Sequence, residues 1–322
     1  MNDNNKVAVI MTAYNEKEEW IRKSIESVLQ QTYENLHIYI LLDNPENNQL
    51  KKIIEEYAAA DLRITFIINE QNMGLVGALN KLISVVEEKY VARMDADDIC
   101  DKDRIAKEMQ FLEKYNLDFV MCGIDFIRDE KRENGPSVPT LIGERFNECE
   151  KYGNFATHPT WLLKKEVYDR LEGYRDVKYC EDYDFVLRAI QAGFNCGRLE
   201  DVLLLYRVRS SGISVSYAYE QFEKADLLRE CYKSGRDLLE IDIDDLNSKF
   251  DEDNETIKEK FDKAKLKLDK FAGNLYEHKL VSCIGIVITG FLFSSMFRKL
   301  FIDTFKNNMA TRRIFSDTEE VK

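Results

Sequence analysis

The chain has 322 residues, of which 44 % are hydrophobic, and it carries a formal net charge of −13 at pH 7. A chain of this length and composition can bury a core, either as one large α/β domain with an appendage or as two modest domains. The negative charge argues against nucleic-acid binding, because that function needs a basic surface to meet the phosphates.

Apolar and amphipathic segments alternate through the first part of the chain. Residues 7–12 form a continuous apolar run without polar alternation, which predicts a strand buried on both faces. Apolar positions at helical spacing then predict a helix over residues 16–31. Strands separated by helices of this length predict a parallel sheet, with ligands at the carboxyl ends of the strands. The further predicted strands are residues 36–42, 64–68 and 90–94, and the further predicted helices are residues 46–60 and 75–87.

Polar residues follow each of these predicted strands. They occupy residues 12–16 after the first strand, Asp43 and Asn44 after the second, residues 72–74 after the third and residues 95–98 after the fourth. Because the carboxyl ends of parallel strands meet at one edge of the sheet, the four polar segments predict a single pocket there.

The fourth strand stops abruptly at three carboxylates, Asp95, Asp97 and Asp98. Two carboxylates in an Asp-x-Asp pattern at a sheet edge can share one divalent cation with the oxygens of a bound phosphate. Such a cation neutralises charge as a phosphorylated group leaves. The alternative is a solvated acidic turn that caps a helix beginning near Asp103.

The order of these motifs resembles that of the family 2 glycosyltransferases over residues 6–210. The resemblance implies the GT-A fold, a Rossmann-like and mostly parallel sheet flanked by helices, here with a C-terminal helical extension. The chain departs from the family after the second strand, where Asp43 is followed by Asn, Pro and Glu instead of a second acid, Gly and Ser. The matching segments are residues 9–16, 72–74, 79–80 and 90–98, Arg104, Gln110 and the pair Glu181-Asp182.

The resemblance also implies a donor site for a nucleotide sugar. A UDP-sugar is the favoured donor, ahead of GDP- and dTDP-sugars, and Asp97 and Asp95 are the implied ligands of a divalent cation, Mn²⁺ or Mg²⁺. Residues 72–74 have an alternative role as a helix-entry turn in which Gly74 relaxes the backbone. The implied nucleotide-sugar-binding residues are Thr12, Ala13, Tyr14, Glu16, Asp43, Asn72, Gly74, Arg93, Asp95 and Ala96.

Residues 118–215 are predicted to supply the acceptor side. A carboxylate on a loop separate from the metal ligands suits a general base, so Asp182 is the predicted base and Glu181 the neighbour that orients the acceptor or tunes the pKa of Asp182. The alternative is that these acids complement the dipole of the helix they open. His158 and Arg207 are candidates for contact with the acceptor or the diphosphate. The alternatives are a buried structural histidine and the solvated end of an edge strand.

The predicted reaction is a single-step, inverting transfer of one sugar to a hydroxyl of a saccharide or a lipid-linked acceptor, in the synthesis of bacterial surface polysaccharide. The chain lacks the Gln/Arg-x-x-Arg-Trp signature and the multiple long membrane spans of processive synthases. Two other classes stay open, a sugar nucleotidyltransferase and a non-catalytic protein that binds nucleotide sugars. The first would show a Gly-rich basic loop where this chain has residues 12–16, and intact Asp95 and Asp182 argue against the second.

The organisation predicted for the chain is a glycosyltransferase domain over residues 1–215 and a helical region over residues 216–322. Residues 257–278 predict an amphipathic helix. Residues 280–297 are uncharged and sit at the lower length limit for a membrane span, so a core or interfacial helix is preferred to a span. Residues 298–313 hold five basic residues and one acid, a net charge of +4. Together, residues 280–313 predict either peripheral contact with anionic lipid or packing on the chain's own domain or a homodimer partner.

The predicted location is the cytoplasm, at the inner face of the cytoplasmic membrane. The first residues lack the positive flank and the long apolar core of a signal peptide. Seven scattered cysteines without a Cys-x-x-Cys pair are typical of free thiols in a reducing compartment. The chain has only three histidines, which argues against a zinc site.

Overall fold

The computed structural model describes residues 5–209, 212, 216–251, 255–276, 286–289, 291 and 294–319. The first half alternates strand and helix as predicted. Its elements are β1 (Val7–Ala13), α1 (Glu18–Leu29), β2 (Leu36–Leu42), α2 (Asn48–Ala60), β3 (Ile64–Ile68), α3 (Gly74–Val85) and β4 (Tyr90–Asp95).

The middle of the chain adds shorter strands and helices. These are β5 (Ile99–Cys100), α4 (Arg104–Lys114), β6 (Phe119–Arg128), β7 (Lys131–Glu133), β8 (Leu141–Ile142), α5 (Glu144–Glu150), β9 (Leu162–Lys164), α6 (Lys165–Arg170), α7 (Glu181–Gln191) and β10 (Cys196–Arg207). Helices then dominate, with α8 (Ala218–Lys233), α9 (Ile243–Asp251), α10 (Glu255–Tyr276) and α11 (Ser295–Glu319).

The strands form one mixed, mostly parallel sheet in the order β3-β2-β1-β4-β9-β6-β10-β5, with β7 beside β6 and β8 beside β10. The predicted parallel pairing of the first four strands is confirmed, since β1 pairs in parallel with β2 and β4, and β2 pairs in parallel with β3. The short β9 is antiparallel to both β4 and β6, and it inserts between them. In this register Thr12 lies opposite Asp95 and Ala13 opposite Leu42, which brings the three strand ends together.

Two apolar layers cover the sheet, one on each face. Alternate residues of β1 enter different layers: Val9 packs with α1, α2 and α4, whereas Ile10 packs with α3, α5 and α7. This arrangement explains the unbroken apolar sequence of β1, because a strand with helices on both sides has no solvent-facing residue. The prediction of burial on both faces is confirmed.

The helical C-terminal region packs on the sheet domain through smaller clusters. Helix α8 packs on α7 through Leu228 and Leu187, and α10 packs on α11 through Phe261 and Phe297. The last part of α11 returns to the sheet domain, where Phe315 packs against its second apolar layer. The boundary predicted at residue 215 stays a prediction.

The helix predicted over residues 257–278 is confirmed by α10. Half of the apolar segment 280–297, in contrast, lies outside the described residues. Of the helices that the structure describes, none is both long and apolar enough to cross a membrane.

Candidate active site

A cleft of about 800 Å³ lies at the carboxyl ends of β1, β2 and β4. The start of α3, residues 154–159, the start of α7 and the end of β10 complete its walls. Every residue predicted as a site residue lines this cleft. These are Thr12, Ala13, Tyr14, Glu16, Asp43, Asn72, Gly74, Arg93, Asp95, Ala96, Asp97, His158, Glu181, Asp182 and Arg207.

Two of the predicted donor-binding segments also shape the backbone of the cleft. The Asp43 carboxylate is buried, and its Oδ1 accepts hydrogen bonds from Asn69 Nδ2 at 2.6 Å and from the Met73 backbone N–H at 2.9 Å. The Asn72 side chain accepts the backbone N–H of Gly74 at 2.8 Å. Gly74 adopts φ +72°, a conformation that favours glycine. The helix-entry turn weighed for residues 72–74 is therefore present, and the same turn faces the cleft.

The acidic cluster after β4 is buried. The exposed fraction is 6 % for Asp97 and 1 % for Asp98, so the alternative of a solvated acidic turn is wrong. Helix α4 does begin at Arg104, but the Asp103 side chain forms no capping hydrogen bond there. Asp98 Oδ1 accepts the Arg207 backbone N–H at 2.7 Å, and its Oδ2 is buried without a hydrogen-bond partner within the described ranges.

Three arginines surround this acidic cluster. Arg93 lies 2.6 Å from Asp95 Oδ1, and Arg209 Nε lies 2.9 Å from Asp97 Oδ2. Arg207 Nε donates to the Asp97 backbone carbonyl at 2.9 Å. The alternative that Arg207 is the solvated end of an edge strand is wrong, because the residue is buried and β10 has a neighbouring strand on each side.

An aromatic residue that sequence analysis did not identify supports two of these arginines. The guanidinium carbons of Arg207 and Arg209 lie 4.9 Å and 5.9 Å from the centroid of the Trp20 ring. A cation near an aromatic ring is attracted to the ring's quadrupole. Trp20 lies in α1, and only the return of β10 brings the arginines to it, so no local motif identifies the contact.

Burial and mutual repulsion keep protons on this cluster. Burial, aided by the charge of Asp95, raises the pKa of Asp97 to about 7. Burial, aided by the charges of Asp95 and Asp97, raises the pKa of Asp98 well above its usual range. Burial also raises the pKa of Glu16, whose carboxylate accepts the Tyr14 backbone N–H at 2.7 Å. Because burial is the main cause of these shifts and neighbouring carboxylates add to those of Asp97 and Asp98, added positive charge would favour the ionised carboxylates.

The carboxylates fit a divalent cation that is shared with a ligand. Within the described ranges, no group of three or more histidine, cysteine, aspartate or glutamate side chains is arranged to hold a metal ion by itself. Asp95 and Asp97 would supply oxygen ligands, and phosphate and water oxygens would supply the rest. Mg²⁺ is typically bound in this way, through one or two carboxylates together with substrate phosphates.

The opposite wall of the cleft is formed by the first turn of α7, where Glu181 and Asp182 lie as predicted. Asp182 Oδ1 accepts the backbone N–H of Tyr183 at 2.7 Å, and Asp182 Oδ2 accepts a hydrogen bond from Asn154 Nδ2 at 3.0 Å. Burial raises the pKa of Asp182, against these two hydrogen bonds. Burial, together with the charge of Asp182, raises the pKa of Glu181 to about 8. Glu181 is thus able to hold a proton near neutral pH, and the pKa of Asp182 is shifted in the same direction.

The nearby Asp184 differs from these two acids. It is fully buried, and it pairs with Arg175 and with Arg188, whose Nε lies 2.8 Å from Asp184 Oδ2. Arg188 also donates to the Leu171 and Gly173 carbonyls. Asp184 therefore fixes α7 to the preceding loop.

Asn154 is a further cleft residue that sequence analysis missed. Its Oδ1 accepts the backbone N–H of Ala156 at 3.0 Å, which leaves the amide nitrogen directed to Asp182. The buried Glu150 carboxylate accepts the Phe155 N–H at 3.0 Å and holds the same loop. The loop has no recognisable motif, so only the folded structure reveals that Asn154 meets Asp182.

His158 is buried as well as facing the cleft. Its Nε2 lies 2.8 Å from Tyr174 Oη, and its ring centroid lies 4.4 Å from that of Trp161. Burial, with a contribution from the Arg93 charge, lowers the pKa of His158 well below its usual range. The imidazole is therefore neutral, which matches the interpretation of a buried structural histidine.

Helix α8 contributes to the cleft from beyond the predicted domain boundary. Gln221 and Ala225 line it, and Gln221 Nε2 donates to the Tyr179 carbonyl at 2.9 Å. The Tyr179 and Tyr217 rings stack with centroids 3.8 Å apart. The C-terminal region thus helps to form the cleft wall on the α7 side.

Comparison with known proteins extends these observations. A model of the family described as "Glycosyl transferase family 2" matches residues 8–172. An uncharacterised glycosyltransferase of Methanocaldococcus jannaschii is 34 % identical over 208 residues, which cover 63 % of this chain and 70 % of that protein. The O-antigen biosynthesis glycosyltransferase WbnJ of Escherichia coli is 30 % identical over 233 residues, which cover 70 % of this chain and 89 % of that protein.

A solved structure shares the fold at low sequence identity. It is S. aureus TarS, residues 1–349, in complex with UDP-GlcNAc. It aligns with a TM-score of 0.59 at 20 % identity, covering 76 % of this chain and 71 % of that one. Together with the sheet order and the flanking helices, this likeness confirms the predicted GT-A type of α/β fold.

Proposed function

This chain belongs to glycosyl transferase family 2 and is a glycosyltransferase, and we propose that it transfers one sugar, with inversion, from a nucleotide-diphosphate sugar to an acceptor hydroxyl. The observation that carries the proposal is the cleft itself. One wall holds Asp95 and Asp97 beside Arg93 and Arg209, and the other holds a separate carboxylate, Asp182. Different residues are thus available to stabilise the charged leaving group and to accept the proton.

The donor that we propose is a UDP-sugar, held along the ends of β1, β2 and β4. Support comes from the resemblance of the donor motifs to the family and from TarS, a protein of the same fold that was solved with UDP-GlcNAc. Tyr14 is 44 % exposed at the mouth of the cleft, and Asp43 lines its floor beside Asn72. These residues are proposed to contact the base and the ribose.

We propose that Asp95 and Asp97 hold Mn²⁺ or Mg²⁺ together with the donor diphosphate. The cation would neutralise charge on the departing diphosphate. Arg93 and Arg209 already contact the two carboxylates, and Arg207 lies behind them. These guanidinium groups supply fixed positive charge to the same wall, so they are proposed to stabilise the diphosphate as it leaves.

We propose that Asp182 takes the proton from the attacking acceptor hydroxyl. Its raised pKa brings its proton affinity closer to neutral pH, where a general base is most effective. The amide of Asn154 fixes one carboxylate oxygen. Glu181, whose pKa is raised to about 8, is proposed to donate a hydrogen bond from its protonated carboxyl group and to orient the acceptor.

The acceptor that we propose is a hydroxyl of a saccharide or of a lipid-linked saccharide, in the synthesis of a surface polysaccharide. The similarity to an O-antigen biosynthesis glycosyltransferase supports this choice. We further propose that the enzyme acts in the cytoplasm, at the inner face of the membrane, where a lipid-linked acceptor would be held.

Calorimetric titration tests the donor site. UDP, GDP and dTDP are titrated into the full chain with and without Mn²⁺, and we expect UDP to bind more tightly with the metal. Asp95→Ala/Asp97→Ala should abolish the metal-dependent binding. A matched control is Asp101→Ala/Asp103→Ala, which removes an acid pair of the same spacing outside the cleft and should leave binding unchanged.

The outcomes separate the hypotheses. Absence of nucleotide binding under every condition would overturn the proposed donor site. Hydrolysis of the matching UDP-sugar in the presence of Mn²⁺, without acceptor, would distinguish an enzyme from a protein that only binds the nucleotide sugar.

A further inference from the structure

Helix α11 presents an apolar stripe to solvent. Ile302, Phe305 and Met309 are 39 %, 57 % and 45 % exposed. Their spacing of three and four residues places them on one side of the helix. The opposite side is buried through Phe297 and Leu300, which pack against α10. Isolated exposed apolar residues are common, but three large ones along one helix face form a contiguous surface that indicates a binding partner.

Basic residues surround this stripe. Lys306 and Arg313 share the exposed side of the helix with Ile302 and Met309, and Arg312 lies next to them. Between residues 298 and 316 there are five basic residues and one acid, Asp303, and Asp317 follows. Lys299 pairs with Glu223 and Arg298 donates to the Phe291 carbonyl, which leaves Lys306, Arg312 and Arg313 as the cations beside the stripe. The whole chain carries a net charge of −13, so this positive surface contrasts with the rest of the protein. The outer face of α11 is defined here as Ile302, Phe305, Lys306, Met309 and Arg313.

We infer that the outer face of α11 docks on an anionic lipid bilayer. An interfacial helix combines an apolar stripe, which enters the acyl boundary, with lysine and arginine side chains that reach anionic headgroups. The outer face has both features. Docking on a negative surface requires a positively charged face, because that surface repels the remainder of an acidic protein.

One further apolar residue before α11 is exposed. Residues 280–297 contain no charged side chain, and Ile288, which the structure describes, is 52 % exposed. The outer face therefore follows directly on an uncharged segment, and the basic residues begin at Arg298.

The position of α11 links docking to the cleft. Near its C-terminal end, the Phe315 ring packs on the Phe155 ring with centroids 6.1 Å apart. Phe155 follows Asn154, which donates to Asp182 in the cleft. Docking through α11 would therefore hold the α7 wall of the cleft near the lipid surface. The conclusion that this brings a lipid-linked acceptor to the site rests on the proposed function, whereas docking itself does not.

Vesicle flotation of the full chain tests the inference. Vesicles of phosphatidylcholine alone are compared with vesicles that also contain phosphatidylglycerol, at low and high salt. We expect binding only to the anionic vesicles, weakened by salt. Because each cation near an anionic surface strengthens binding by about fivefold, Lys306→Glu/Arg313→Glu should lower vesicle affinity by at least about 25-fold. Phe305→Ser/Met309→Ser should weaken binding at both salt concentrations.

A matched control distinguishes this face from general charge or hydrophobicity. Lys52→Glu/Leu62→Ser changes one exposed lysine and one apolar residue that is 99 % exposed, both far from α11 in sequence, and should bind vesicles as the wild type does. Circular dichroism on the same preparations confirms that each variant is folded, and calorimetric UDP binding keeps a failure of docking distinct from a failure of the proposed donor site.

Three results would overturn the inference. In the first, the wild type remains unbound to anionic vesicles. In the second, the outer-face variants bind as well as the wild type. In the third, the wild type self-associates, Phe305→Ser/Met309→Ser abolishes that association, and no vesicle binding occurs; the face would then belong to an interface between two copies of the chain.

Discussion

The two walls of the cleft bury carboxylates among different partners. On the strand-end wall, Asp95 and Asp97 contact the guanidinium groups of Arg93 and Arg209. On the α7 wall, Asp182 accepts hydrogen bonds from an amide and a backbone N–H. Buried charges are stable only when they are paired or when the group changes its protonation state. The first wall therefore relies on arginine cations as well as protons, whereas Glu181 and Asp182 on the second rely on hydrogen bonds and protons.

This difference matches the two tasks of the proposed reaction. Even with its arginines, the strand-end wall keeps the pKa of Asp97 at about 7, and a further cation would lower it. The α7 wall has a Glu181 pKa of about 8, raised first by burial and then by its acidic neighbour. A metal and a diphosphate would meet on the first wall, while a proton is held or accepted on the second.

The largest expected effect comes from removing the base on the α7 wall. Asp182→Asn keeps the size of the side chain but removes its ability to accept a proton, so kcat should fall by about 10²- to 10⁴-fold. Affinity for UDP with Mn²⁺ should remain within about twofold, since the strand-end wall is unchanged. Steady-state kinetics and calorimetry measure the two quantities.

Asp169→Asn is the matched control for this substitution. Asp169 is an exposed acid of α6 that does not line the cleft, so the variant should have normal kcat. Near-normal transfer by Asp182→Asn would remove Asp182 as the base and would end the division of tasks between the two walls.

An intermediate effect is expected from Asn154→Ala. Loss of one hydrogen bond to a charged group should lower kcat by about tenfold. That bond lowers the pKa of Asp182, so its loss should move the acid limb of the pH-rate profile to higher pH. The pH dependence of kcat measures the shift. Asn134→Ala, which removes an exposed amide outside the cleft, should leave the limb in place.

The acid limb of the pH-rate profile also separates two roles of Asn154. Its Oδ1 holds the Ala156 N–H, so the substitution can loosen the loop without any effect on the protonation of Asp182. A fall in kcat with an unmoved acid limb would assign Asn154 a purely structural role. It would contradict the view that the Asn154 amide sets the pKa of Asp182 on the α7 wall.

Sequence analysis predicted the strand-end wall well because its parts are local. An apolar run followed by carboxylates identifies each strand end, and parallel pairing then forces Thr12, Asp43 and Asp95 to one edge of the sheet. The α7 wall depends on long-range approach. Asn154 meets Asp182, and Arg207 meets Asp98, across loops whose sequences show no motif.

The C-terminal region shows the same limit in another form. The net charge of residues 298–313 is visible in the sequence, but an amphipathic helix does not reveal which side its neighbours cover. Packing of Phe297 against α10 and of Phe315 against Phe155 determines that Ile302, Phe305 and Met309 face outward.

The smallest expected effect concerns the stability cost of the α7 wall. The pKa of Glu181 rises from its ordinary value of 4.5 to about 8 in the folded protein. Between these two pH values the folded state keeps a proton that the unfolded state releases, so the free energy of unfolding falls as pH rises through this window. Gln cannot ionise and escapes this penalty. Glu181→Gln should therefore gain about 1–2 kcal/mol relative to the wild type when the pH rises from about 5 to 6.5.

Urea unfolding of both proteins at the two pH values measures this difference, and the exposed Glu70→Gln serves as the control, with no such pH-dependent gain. A constant difference between Glu181→Gln and the wild type would mean that the Glu181 carboxyl ionises as readily in the folded protein as in water. In that case burial would not keep a proton on the α7 wall, and the two walls would differ only in the arginines of the strand-end wall. A stability gain of Glu181→Gln that grows with pH would instead show that the ionisable Glu181 carboxyl beside Asp182 makes the folded protein less stable at higher pH.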